Sequence, residues 1–257
     1  MLAQDAPEAD LGLAEAVQRS DIEVPDADLP ATLAEQAKAG TGWVKLVGDW
    51  IDREIGDLAP AFEPAAMAAA IEAAHAAGAK VAVHTFSEEA VAALVRAGVD
   101  SVEHGTGLSE DLIDEMARRG TAFVPTMINI RRFDDIAAQA EPKFPRYAAH
   151  MRALGTGHPT IVRSAHEAGV PIYVGSDAGG GIAHGMAARE MLLLHELAGM
   201  APLDVLRAGS WGAREWLGIP GLVEGGPADL VVYDRDPRED LTALLEPGHI
   251  ILRGRVA

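Results

Sequence analysis

The chain has 257 residues with 21 Lys+Arg against 39 Asp+Glu, a formal net charge of −18 at pH 7. Such acidity argues against nucleic-acid and anionic-membrane partners, both of which require basic surface, and leaves a small-molecule partner as the expectation. With no cysteine and 49% hydrophobic residues, disulfides and thiolate metal sites are excluded, while a sizeable core is within reach.

Residues 1–30 are acidic and proline-containing, with one weak helical stretch near Leu13–Gln18. They show no charged-then-apolar leader pattern. No apolar run reaches the ~18 residues that cross a bilayer. Together these predict a cytoplasmic protein.

From about Leu29 the pattern becomes regular. A helix over Ala31–Ala39 leads through a glycine turn into the strand WVKLV, and a helix opens at Glu63-Pro64, where proline's missing N–H costs nothing. KVAVH is a strand, Glu88–Ala97 a helix stopped at Gly98, and DSVEH the next strand. Ser109 caps a helix running to Arg119, and TAFVP is a further strand. A longer helical region follows, about Phe133–Ala168, with interruptions expected at Gly155 and Gly157. PIYVG is the fifth strand, Gly185–Gly199 a helix, and another helix runs from Pro202 to about Leu217. Short strands alternating with helices predict βαβ units on a parallel sheet. From Gly221 the character changes: GLVEGGPADLVVYD and HIILRG read as short strands with turns and no crossover helices. The expected division is therefore 1–220 and 221–257.

The chemistry gathers at strand ends. Lys45 lies in WVKLV, His84 closes KVAVH, His104 closes DSVEH, and Asp177 follows PIYVG. In parallel α/β folds, ligands bind at the carboxyl ends of the strands. Two histidines and an aspartate can hold a divalent metal, and an aspartate beside an activated water can take its proton. Each residue alone has a plainer explanation. A lysine snorkels, a histidine bonds a carbonyl, and an aspartate makes a turn. Their recurrence at matching points of successive βα units favours a site.

Five segments carry a resemblance: WVKLVGDW, VAVHTFSEEAV, GVDSVEHGTGLSEDLI, PIYVGSDAGGGIAHG and GLVEGGPADLVVYDRDP. From about Leu29 to its end, the sequence resembles the amidohydrolase superfamily, in its imidazolonepropionase-like and Xaa-Pro dipeptidase-like branch. The resemblance implies an α/β fold, namely the C-terminal five βα units of a (β/α)8 TIM-like barrel plus part of a small β-sandwich. It implies that Lys45 becomes a carbamate, formed with carbon dioxide, that bridges two metals. His84 and His104 would bind the second metal, and Asp177 would bind metal and act as general base. His184, in the glycine-rich loop, matches a position near substrate, with a surface role as the alternative. Zinc is the metal expected, with manganese also compatible. The implied reaction is hydrolysis of an amide, lactam or dipeptide C–N bond.

The remaining histidines read differently. His75, His166 and His195 lie in helices as structural or solvent-facing groups. His150 and His158 fall in the long segment after TAFVP, where a lid is expected. His249 belongs to the β appendage.

The pattern departs from the family in one respect. No HxH motif is present, and 44 residues precede Lys45, where three βα units of 30 or more residues are expected, leaving roughly 90 to 100 residues unaccounted for. The expectation is a fragment of a binuclear enzyme, itself with little or no activity. Its open sheet edges would drive self-association into a homo-oligomer. The alternative is an inactive fragment or a metal-free binding module.

Overall fold

The computed structural model describes residues 2–3, 22–179 and 181–256. The helix expected near Leu13–Gln18 lies outside them. Strands β1 (Leu2–Ala3) and β2 (Ile22–Glu23) pair in parallel. Helix α1 (Leu29–Ala39) then precedes β3 (Trp43–Val47). A hairpin of β4 (Asp49–Asp52) and β5 (Asp57–Pro60), absent from the sequence reading, follows at once. Helix α2 (Pro64–Ala76) leads to β6 (Lys80–Thr85), α3 (Glu88–Ala97) to β7 (Ser101–His104), and α4 (Glu110–Arg119) to β8 (Ala122–Val124).

Strands β3-β6-β7-β8 form one parallel sheet in that order. Parallel register places Leu46, Val83, Val102 and Phe123 in one row across it, and all four are fully buried. Their side chains join Leu29, Leu33, Met67, Ile71, Leu94 and Met116 in the main core. Each such burial contributes about 1.5–3 kcal/mol, which fixes the register, because a one-residue slip would expose the whole row. Helix α3 begins where Ser87 Oγ accepts the Ala90 amide at 3.3 Å. Ser109, the expected cap of α4, instead donates its hydroxyl to Asp111.

The fifth predicted strand is not a regular one. Phe123 N–H donates to Pro171 O and Tyr173 N–H to Phe123 O, at 2.8 and 2.9 Å, which makes a single parallel bridge at Ile172. Val174 N–H, on the edge opposite β8, donates to Ala208 O at 3.2 Å, and Pro125 offers no N–H to carry the ladder further.

The long helical region also breaks elsewhere than expected. After the short helix α5 (Met127–Ile130) come α6 (Phe133–Ala140) and α7 (Pro145–Glu167). The interruption falls at residues 141–144, because Pro145 disfavours helical geometry at Phe144, whose φ/ψ is −133/70°. Gly155 does not break α7. A Cβ there would stand 3.2 Å from Phe133 Cβ, so the glycine allows α6 and α7 to pack closely. This helix pair, with Phe86 and the hairpin's Ile51 and Leu58, forms a second apolar cluster.

Helix α8 (Ala187–Ala198) follows, and the helix expected over 202–217 is two: α9 (Pro202–Ala208) and α10 (Trp211–Trp216). Strands β9 (Leu230–Val232), β10 (His249–Leu252) and β11 (Arg255–Val256) make an antiparallel sheet. Among the described residues, no helix is long and apolar enough to cross a membrane.

Candidate active site

The row next to the apolar one contains Val47, His84, Glu103 and Val124. Side chains alternate along strands, so this row faces the opposite side of the sheet, as does Lys45, two residues before Val47. Lys45 Nζ is ion-paired with Glu103 Oε2, and both side chains are partly exposed. Glu103 was not among the expected site residues. Its signal was there to read: an acid inside a short strand, one residue before the terminal histidine.

By alternation alone, His104 would turn to the apolar side. Its backbone prevents this by adopting φ 66°, a left-handed conformation that is uncommon outside glycine. The imidazole meets that of His84 edge-on, with centroids 4.6 Å apart, and Phe86 touches both rings. Thr126 and Asp177 also take positive φ, 48° and 52°. Strained non-glycine residues at the end of β7, just past β8 and after the Ile172 bridge fit a site that stores strain for placement.

Supporting contacts hold this group. His104 Nδ1 lies 2.7 Å from Thr126 Oγ1, and Asn129 Nδ2 donates to Asp177 Oδ2 at 2.9 Å. Glu190 accepts the amides of Met127 and Ile128 at 2.6 and 2.8 Å, anchoring the turn that carries Thr126 and Asn129. Burial pushes Glu190 up to about 7, against the two amides, which favour its charge. The fully buried Asp49 accepts from Thr85 and Ser87 hydroxyls and the Phe86 and Ser87 amides. Burial raises the Asp49 pKa while those donors oppose it. Gly107 lets the loop after β7 cross this turn, since a Cβ would lie 2.4 Å from Glu88 N. Asp49, Thr126, Asn129 and Glu190 have no spacing that would single them out in the sequence, because they meet only through the fold.

The electrostatics keep both rings neutral. Burial, then the Lys45 charge, lowers His84 to about 3, and its Nε2 is buried without a hydrogen-bond partner. Asp49 Oδ1 is 3.8 Å from that nitrogen, too far for a hydrogen bond. Burial also holds His104 well below its usual range, helped by His84, Lys45 and His158. Asp177 is exposed as a residue, yet crowding of its carboxyl raises its pKa, with Lys45 and Arg132 opposing and Glu103 assisting. Lys45 is thus the common electrostatic neighbour of His84, His104 and Asp177.

The predicted residues do not all converge. His184 is exposed in the loop before α8, and no contact among the described residues joins it to the other four. No three His, Asp or Glu side chains stand together as a ready metal cage among the described residues. His158, expected in a lid, is instead fully buried within α7, and His150 bonds Asp57 and Glu88 at the protein surface. His75 and His166 face Asp100 and Asp204, while His195 donates to the Met200 carbonyl, all away from the site.

A parallel α/β sheet with titratable groups toward the carboxyl ends of its strands is the arrangement of a strand-end ligand site. The profile of the amidohydrolase family matches residues 30–256. An uncharacterized protein of Mycobacterium tuberculosis is 51% identical over 230 residues, covering 90% of this chain and 62% of that protein. The ochratoxinase of Aspergillus niger is 27% identical over 219 residues, covering 82% of this chain and 45% of its own length. A solved Xaa-Pro dipeptidase with bound methionine in the active site superposes with TM-score 0.76 at 26% identity, over 92% of this chain and 59% of that one. The chain belongs to the amidohydrolase family, and its sheet corresponds to part of the TIM barrel of these relatives. It spans about three fifths or less of the lengths of these relatives.

Proposed function

We propose that this chain carries the proton-transfer residue and part of the ligand set of a hydrolase that cleaves a C–N bond in a small amide, lactam or dipeptide. The observation that carries the reading is the pair of buried, neutral imidazoles of His84 and His104. They meet at the carboxyl ends of adjacent parallel strands, and one of their nitrogens is buried and unpartnered. Neutral imidazole is the form that binds a metal. The donor chemistry therefore fits a divalent cation, zinc by preference, held by His84 and His104. Lys45, as a carbamate, and Asp177 would supply oxygen donors once released from Glu103 and Asn129. Such a cation would polarise the scissile carbonyl and acidify a water molecule.

Asp177 has a separate task. Its raised pKa makes the carboxylate a better proton acceptor, and it stands beside a donor, Asn129, that fixes its orientation. It would take a proton from the attacking water and return it to the leaving nitrogen. The Xaa-Pro dipeptidase and ochratoxinase relatives support the choice of a C–N bond, and a dipeptide or N-acyl amino acid is the substrate class to try first.

A second reading, a metal-free binding module, is favoured by the Lys45–Glu103 ion pair, which occupies the lysine a carbamate would need. Elemental analysis after zinc loading, paired with hydrolysis assays on dipeptides and N-acyl amino acids, separates the two. Zinc retained by the chain and lost in both His84→Ala and His104→Ala supports the site. Equal zinc in all three proteins sinks it.

A further inference from the structure

The histidine in the middle of α7 has no task in the scheme above. His158 is fully buried, and its Nε2 lies 2.8 Å from the His104 carbonyl oxygen. A carbonyl can only accept, so Nε2 carries the proton and donates. Nδ1 is then a lone-pair acceptor, and it is buried without a partner. A leucine or phenylalanine would fill the same space, beside the Phe123 ring, without stranding an acceptor. Packing alone therefore does not account for a histidine here, but its single donor does.

That donor acts at a strained point. His104 holds φ 66°, and this backbone turn aims its ring at His84 instead of along the alternation of β7. The ring is then fixed by Thr126 on one nitrogen. The backbone that sets its direction has its carbonyl held by His158. We infer that His158 is a positioning residue: its Nε2–H clamps the left-handed turn at His104 and so keeps that imidazole facing the site. The inference rests on the reading of His104 as a site residue but not on metal actually binding there.

The experiment has two arms. In the first, long-range 1H–15N NMR of the metal-free chain, labelled at histidine nitrogens, should show His158 protonated at Nε2 with a slowly exchanging proton. His158→Phe should shift and broaden the His104 ring signals, and His158→Gln, which keeps a donor, should restore them. A proton on Nδ1 in the unmodified chain overturns the inference, and that measurement needs no variant to fold. Unchanged His104 signals in a folded His158→Phe protein overturn it as well. In the second arm, Co(II) binding is followed by absorption. A loss of affinity of at least about tenfold is expected for His158→Phe, as for other residues that orient a metal ligand, with His158→Gln near the original value. If the unmodified chain binds no Co(II) while the NMR result holds, the metal reading fails and the clamp stands.

Discussion

Two neighbouring rows of the same sheet, one residue apart in register, have opposite characters. Leu46, Val83, Val102 and Phe123 are uniformly apolar and fully buried under the helices. Val47, His84, Glu103 and Val124 face the other side, where Lys45 and Glu103 remain partly open to solvent. The first row is a hydrophobic device whose members are interchangeable in kind. The second is held by specific contacts, and its terminal ring, His104, reaches it only through a strained backbone. Apolar and titratable groups are thus separated by the pleat of the strand, and substitutions in the two rows should have different consequences.

The largest stability effect is expected from the apolar row. Phe123→Ala should destabilise the chain by about 3–5 kcal/mol, the cost of an aromatic cavity in a core, as read from urea unfolding. A loss below about 1 kcal/mol would mean that the row is not the mechanical base of the sheet.

The support of the site comes next. The Glu190 pKa is raised from 4.5 to about 7 in the folded chain, so between those values the native state binds more protons than the unfolded one. Its contribution is therefore complete below about pH 4.5 and is lost as pH rises through about 7, by on the order of 3 kcal/mol. The buried imidazoles of His84 and His104 add stability as pH rises to about 6.5, so the Glu190 effect is read as a difference: between pH 5 and pH 8 the urea midpoint of the original chain should fall relative to that of Glu190→Gln. A midpoint difference between the two proteins that stays constant over this window would contradict the assignment.

The smallest stability effect belongs to the polar row. Lys45→Met removes a partly exposed ion pair, worth less than about 1 kcal/mol. It should nevertheless abolish any zinc-dependent hydrolysis. A large drop in urea midpoint with hydrolysis retained would reverse the roles assigned to the two rows.

Much of this was legible along the chain. Four of the five predicted strands form, at the expected places, because apolar runs bounded by glycine and helix caps are local signals. The titratable strand-end residues stood out for the same reason. The fifth segment failed as a strand because Pro171 and Pro125, on the two sides of the bridge, have no N–H to extend the ladder. The hairpin after β3 was missed because Asp49–Asp52 and Asp57–Pro60 are short and mixed in polarity. Gly155 was misread because glycine marks both a chain break and a close helix contact, and only the position of Phe133 tells them apart.

What the sequence determined by itself was the alternation of strand and helix and the placement of four titratable side chains, Lys45, His84, His104 and Asp177, in or just after its apolar segments. These depend on neighbours a few residues away, through periodicity and capping. The tertiary structure alone decided which groups stand together. Glu103 meets Lys45 across 58 residues, Glu190 reaches Met127 across 63, and His158 reaches the His104 carbonyl across 54. No local pattern encodes such separations. They arise from strand register and helix packing, which bring distant segments within hydrogen-bonding range only once the core has formed.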